Sequence, residues 1–330
     1  MHMALYHKLG IPVIAVETMP LSLYDPWVPP FTSGLIPKQT SISRLGIRLA
    51  WEKIVIARKI RNLFFSMLLC RQDYFSLYKR LFLECGFPFE ENIDWRRPFI
   101  VGIKGIEILS MTPASLDFPH KYPPKCQYAP SRVDLKREEN MLNKRYLRVM
   151  EDVCLLKQQR PDTKIIYCFS STVMGFEKRS KIIFMKIRDI CLRNPQFVFI
   201  LFVGKYHNTS YLLPCPSNLY VFQQVPQLHL LSYCDLMITS GGMNSIAECI
   251  EKEVPMLVCP LSLKSDQLGN SARVVYHGLG LRARIKLDSS RTIEKRIVQL
   301  FENYATFKRN LSMMRTKILA ESTAINTEAI

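Results

Sequence analysis

The chain has 330 residues, 48% of them hydrophobic, with 45 Lys and Arg against 28 Asp and Glu, a net charge of +17. That length exceeds one typical core and fits two domains, and the hydrophobic content excludes a disordered chain. The charge implies attraction to something acidic, whether nucleic acid, an anionic membrane surface or a phosphorylated ligand, without choosing among them.

No apolar run reaches bilayer length, and MHMALYHKLGIPVIAV lacks the basic start, long apolar core and small-residue cleavage site of a signal peptide. A cytoplasmic location is therefore expected. The ten cysteines are scattered singly, with neither CxxC nor metal-like Cys/His spacing. They read as reduced core thiols rather than as disulfides or a zinc site.

In chain order, residues 1–9 read as a helix tail and residues 11–16 as a strand, so the pattern begins inside an alternating α/β arrangement. The proline- and aromatic-rich stretch YDPWVPPFTSGLIPK, residues 24–38, is long enough for a loop that lines a cleft. Residues 44–80 are rich in Lys and Arg, with Leu, Ile and aromatic residues at helical spacing. One or two basic amphipathic helices are predicted there, either core-facing with a solvated basic face or lying on a membrane surface. Residues 106–110 are apolar, and residues 114–130, ASLDFPHKYPPKCQYAP, read as a linker. The expected division is a partial first domain over 1–130 and a second over 131–330.

In the second part a polar helical stretch, 132–159, precedes a strand at 164–169. The turn Ser170-Ser171-Thr172 leads to a helix at 176–193, then come strands at 197–204 and 218–222 and a short helix at 227–233. Leu236-Met237-Ile238-Thr239 and residues 254–259 are two more strands, joined by Ser240-Gly241-Gly242-Met243-Asn244-Ser245 and a helix over 245–253. A last long helix, or a pair, occupies 292–320. Apolar strands alternating with helices predict an α/β class with a parallel sheet covered on both faces. Ligands of such sheets sit beyond the C-terminal strand ends, where Ser171 and the Ser240 to Asn244 turn both fall. A strand that breaks at two glycines and restarts as a helix presents free N–H groups and a positive dipole end, which suits a phosphate.

These residues carry a resemblance. Val225-Pro226-Gln227, Leu231, Asp235, Ile238-Thr239, Gly241-Gly242-Met243-Asn244-Ser245, Glu248, Val254-Pro255, Pro260, Asp266-Gln267 and Asn270 occur in one order over some forty residues. Together they resemble the donor-binding signature of the UDP-glycosyltransferases, the family that includes plant, macrolide-modifying and UDP-glucuronosyl enzymes. Leu116-Asp117-Phe118-Pro119, Pro123-Pro124 and Tyr128-Ala129-Pro130 resemble the stretch that closes the acceptor domain in the macrolide-type members.

The resemblance implies a GT-B architecture, two doubly wound Rossmann-like domains, of which the N-terminal one is incomplete in an N-terminally truncated chain. It implies a UDP-dependent hexosyltransferase that moves a hexose, with inversion, to a hydroxyl of a hydrophobic small-molecule or lipid acceptor. The UDP-sugar is a co-substrate; no cofactor and no metal are implied. By this resemblance Ser171, Ser240, Gly241, Gly242, Asn244 and Ser245 hold the donor diphosphate. Gln224, Val225, Gln227 and Glu248 address the nucleoside, and Asp266 and Gln267 the sugar.

Three departures stand out. The family's catalytic His and its supporting acid have no counterpart, since His2 and His7 precede a later strand, so the base is unassigned. Ser240 replaces the His that commonly precedes Gly-Gly. Gln224 stands where many members stack an aromatic on the uracil, with Phe222 as a substitute surface. A second reading is therefore a nucleotide-sugar-binding protein or remnant without the acceptor-side base. A nucleic-acid binder, suggested by the charge alone, has no recognition motif in its favour.

Overall fold

The computed structural model describes residues 9–97, 102–121, 124, 126–129, 133–135, 144–169, 177–204 and 208–328, with side chains to residue 323. The chain forms two compact units, residues 1–131 and 132–330.

In the first unit, β1 (Ile14–Glu17), β4 (Glu107–Ser110) and β5 (Gln127–Tyr128) form a three-stranded parallel sheet in the order β1-β4-β5. The segment expected to be pure linker thus supplies the sheet's last strand, held by pairing of Leu109 with Gln127 and Ser110 with Tyr128. A two-residue pattern is too short to carry a readable period. The predicted basic helices are two. Helix α1 (Ser41–Leu68) starts at Thr40, whose hydroxyl accepts from Ser43 N at 3.2 Å, and α2 (Tyr74–Glu84) starts at Asp73, which accepts from Phe75 N and Ser76 N. Such caps satisfy N–H groups that the helix leaves unpaired. A short helix α3 (Phe89–Asn92) and the antiparallel pair β2 (Ile93–Asp94) and β3 (Gly102–Ile103) pack Phe82, Phe87, Phe89, Ile93 and Ile103 into a small core.

The stretch expected to line a cleft is instead anchored. Val28 and Phe31 are buried, Trp51 Nε1 donates to Val28 O at 3.0 Å, and the cations of Arg44 and Lys121 each lie over the Trp27 ring.

The second unit is built on six strands: β6 (Lys164–Phe169), β7 (Phe197–Phe202), β8 (Leu219–Phe222), β9 (Leu236–Thr239), β10 (Met256–Val258) and β11 (Gly280–Arg282). All pair in parallel, in the order β11-β10-β9-β6-β7-β8. The chain runs outward from β6 through β7 to β8, then returns to the other side of β6 and runs outward through β9, β10 and β11. This is the doubly wound arrangement, and its direction reverses between β6 and β9. FVFILF, LMIT and MLV are buried almost throughout because helices cover both faces.

Those helices are α4 (Lys144–Gln159), α5 (Glu177–Arg193), α6 (Gln227–Leu231), α7 (Met243–Glu251), α8 (Gln267–Tyr276), α9 (Ser290–Glu302) and α10 (Tyr304–Glu328). Ile183, Phe184, Ile187, Ile190 and Cys191 of α5 and Ile293, Ile297 and Leu300 of α9 recur every three or four residues and fill one core with β6, β7 and β9. Each such side chain contributes roughly 1.5–3 kcal/mol by leaving water. Five cysteines, Cys168, Cys191, Cys234, Cys249 and Cys259, are core thiols as predicted, whereas Cys70 and Cys215 are exposed; all ten are free.

Candidate functional site: the edge at the strand-order reversal

At the C-terminal end of β9 the chain turns at Ser240 and Gly241. Gly241 has φ +88°, and a Cβ there would meet Val258 Cγ1 at 2.7 Å, so only glycine fits without displacement. Its N–H donates to Thr239 Oγ1 at 3.2 Å. Gly242 is different. Its φ of −66° suits any residue, and a Cβ there would meet nothing within 4 Å. The open space lies at the N-terminus of α7, where Gly242 occupies the capping position and no side chain caps the helix. The first intrahelical bond runs from Ile246 N to Gly242 O, so the preceding N–H groups face outward with the positive end of the dipole. Asn244 is exposed beside them, while Ser240 and Ser245 are buried. Ser171 lies outside the described residues.

Glu248, one turn into α7, is 5% exposed. Gln227 Nε2 donates to Glu248 Oε2 at 2.6 Å, and Gln227 Oε1 accepts from the Tyr167 hydroxyl at 3.0 Å. Burial pushes the Tyr167 phenol well above its ordinary pKa, which keeps it a donor. Both ends of the Gln227 amide are therefore committed within the protein, and this side chain holds the buried Glu248 carboxylate. Val225 is buried and Gln224 exposed.

Opposite the turn, Gln267 Oε1 accepts from Leu261 N and Ser262 N, both at 2.8 Å, fixing the loop after β10. Asn270 Nδ2 donates to Gly241 O and to Asp266 Oδ2, each at 2.8 Å, so one side chain ties the glycine turn to Asp266. Burial raises the Asp266 pKa, partly offset by the Asn270 bond. The buried Asn270 Oδ1 has no protein partner.

A cavity of about 520 Å³ opens at the C-terminal ends of β7 and β8, lined by Arg145, Val203, Thr209, Phe222 and Gln224 among others. Phe222 is 4% exposed and packs edge-on against Tyr146, while the Arg145 guanidinium lies over its ring at 5.1 Å and donates to Val221 O. Arg145 and Phe222 thus line the cavity together, the guanidinium over the ring. Arg145 had no signal in the sequence, because it sits on α4 some eighty positions before the residues it joins.

Asp235, a member of the sequence signature, is a structural clip. Its carboxylate accepts from Ile165 N at 2.8 Å and from Lys157 Nζ at 2.8 and 2.7 Å, joining α4, β6 and β9. Among the described residues no group of three or more His, Cys, Asp or Glu side chains is placed to hold a metal ion.

In the first unit His120 Nδ1 bonds Asp25 Oδ2 at 2.7 Å, and Nε2 stands 3.6 Å from Asp117 Oδ2. Burial alone would lower the His120 pKa; Asp117 and Asp25 outweigh it and push it up to about 9. The imidazole is therefore a cation at neutral pH and holds the 24–38 stretch to the segment after β4.

Residues 177–320 match the family described as UDP-glucuronosyl and UDP-glucosyl transferases. The chain is 36% identical over 98 residues to NDP-glycosyltransferase YjiC of Bacillus subtilis, covering 30% of this chain and 24% of that protein. It is 34% identical over 88 residues to the zeaxanthin glucosyltransferase of Pantoea ananas, covering 27% of this chain and 20% of that protein. The chain thus spans about a quarter of the length of the relatives it matches. Among solved structures, the glycosyltransferase of kitacinnamycin superposes with a TM-score of 0.60 at 18% identity, over 97% of this chain and 70% of that one. The calicheamicin glycosyltransferase does so at 0.60 and 14% identity, over 99% and 71%. The GT-B fold is shared with these proteins.

Proposed function

From residues 177–320, a domain of the UDP-glucuronosyl and UDP-glucosyl transferase family, we infer that the protein is a UDP-sugar-dependent hexosyltransferase. The observation that carries this reading is the uncapped N-terminus of α7 beside Gly242, at the strand-order reversal, with the Glu248 carboxylate held by Gln227 one turn further on.

In this reading the diphosphate sits over Gly242, Asn244 and Ser245, with Ser240 and Ser171 adding hydroxyls. Glu248 accepts from ribose hydroxyls and Gln227 positions it. The base lies in the cavity near Gln224 and the Val225 backbone, against the Arg145 guanidinium. Asp266 contacts sugar hydroxyls, and Gln267 holds the loop that carries it. An acceptor hydroxyl attacks the anomeric carbon, the bond to the β-phosphate oxygen breaks with its electron pair, and the acceptor proton passes to a base. Attack opposite the leaving group inverts the centre, and the helix dipole and N–H groups stabilise the departing charge. A hydrophobic acceptor fits the apolar side chains exposed on the first unit, and a relative whose name specifies zeaxanthin acts on such a molecule.

The second reading, nucleotide-sugar binding without turnover, rests on the acceptor-side base that the sequence leaves unassigned. Calorimetry of the full chain with UDP and UDP-glucose tests the donor site, and absence of binding overturns both readings. Incubation with UDP-glucose and a panel of phenols and lipids separates them. Transfer with an inverted anomeric centre supports the enzyme; binding with no transfer supports the second reading.

A further inference from the structure

Helix α1 is amphipathic twice over. Ile47, Trp51 and Arg58 face the first unit and are buried. On the opposite side Ile42, Leu49, Ile56 and Leu63 recur every seven residues, with Leu45 and Ile60 between them and Met67 one turn beyond, and all seven are 56–85% exposed. At 100° per residue these side chains fall within one narrow sector, an apolar stripe along a 28-residue helix about 40 Å long. Exposed stripes of this size mark an interaction surface rather than ordinary solvent contact.

The charges choose the partner. Arg48 and Lys59 border the stripe on one side and Lys53 on the other, all exposed; Glu52, the acid of this helix, lies on the Arg48 side and is paired with Arg96. A second copy would bring the same cations against themselves along the helix. A nucleic acid would neutralise the cations and leave the stripe in water. A surface with an apolar interior and an anionic boundary satisfies both, since the stripe enters the acyl region while Lys and Arg reach the headgroups along their aliphatic stems. No helix among the described residues is long and apolar enough to cross a membrane, so this contact lies in the plane of the interface.

We propose that the outer face of α1, centred on Leu49, Ile56 and Leu63 and bordered by Arg48, Lys53 and Lys59, docks the protein on an anionic lipid surface. The inference is independent of the donor site, because the stripe lies wholly within residues 1–131.

Flotation of the full chain with phosphatidylcholine vesicles, with and without phosphatidylglycerol, tests it. Binding is expected on the anionic vesicles, at least about fivefold above the neutral ones, from the contribution of one or more cations near the surface. It should weaken as NaCl rises from about 0.1 to about 0.5 M. The combined Leu49→Asp, Ile56→Asp and Leu63→Asp variant should lose binding at least tenfold while keeping its circular dichroism, since these side chains lie outside the core. Lys53→Glu with Lys59→Glu should remove the anionic preference. Absence of binding to anionic vesicles, equal binding to both kinds, or unaltered binding by the triple-Asp variant would overturn the proposal. So would a dimer in sedimentation velocity that the triple-Asp variant splits, which would make the stripe a self-association face.

Discussion

The two adjacent glycines of the turn after β9 do different work. Gly241 is required by its backbone, since φ +88° costs most residues ~1–2 kcal/mol and a Cβ would press on Val258. Gly242 has neither constraint, and at the N-cap of α7 it leaves open space at the helix N-terminus. Gly241→Ala is expected to lower stability by at least ~1–2 kcal/mol in urea unfolding. Gly242→Ala should lower stability by no more than ~1 kcal/mol, as expected for an N-cap, yet weaken UDP binding by tenfold or more in calorimetry. The His120 pKa rises from 6.5 in the unfolded chain to about 9 in the fold. The sign follows from linkage: the native state holds the proton more tightly, so the stabilisation is complete below pH 6.5 and disappears as pH climbs through about 9. Thermal unfolding between pH 6 and 10 should show this fall, and His120→Ala should flatten it.

At the scale of elements, the phosphate-facing helix works because its neighbours are fixed. Asn270 of α8 holds the carbonyl of Gly241, Gln267 of the same helix holds the loop after β10, and Gln227 of α6 holds Glu248 of α7. Asp235 secures the start of β9 against β6 and α4. Asp235→Ala would leave the Ile165 N–H and the Lys157 ammonium without this partner, and a loss of about 1.5–3 kcal/mol is expected from a charged hydrogen bond of this kind. Because Asp235 lies at the N-terminal end of β9, away from the ligand edge, the UDP dissociation constant should stay within about threefold. Urea unfolding and calorimetry on the same variant separate the two effects.

At the scale of the molecule, two compact units with separate cores need not unfold together. Scanning calorimetry is expected to resolve two transitions. UDP at about one hundred times its dissociation constant should stabilise the 132–330 unit by about 2.7 kcal/mol and leave the transition of the 1–131 unit unmoved. A single transition displaced as a whole by UDP would show that the units unfold as one. The net charge of +17 is a property of the whole chain, but its consequence is local, because on α1 the cations border an apolar stripe instead of being dispersed in water.

The second unit was legible in the sequence because its signals are local. KIIYCF, FVFILF and LMIT are continuous apolar runs whose burial on both faces follows from composition, and Gly-Gly before Met-Asn-Ser marks a strand-to-helix turn. The order of the donor residues along the chain likewise needs no coordinates. The tertiary structure alone decided which of those residues face outward. Asn244 is exposed and Asp266 half-buried, whereas Glu248 is buried against Gln227, and the hydrogen bonds of Gln227 and Asp235 are spent inside the fold. It also brought Arg145 over Phe222 and set His120 between two aspartates, pairings across long stretches of chain that no local pattern encodes. Periodicity along α1 gives both an apolar and a basic face, but only packing shows which apolar side chains are already covered by the first unit and which stripe is left for a partner.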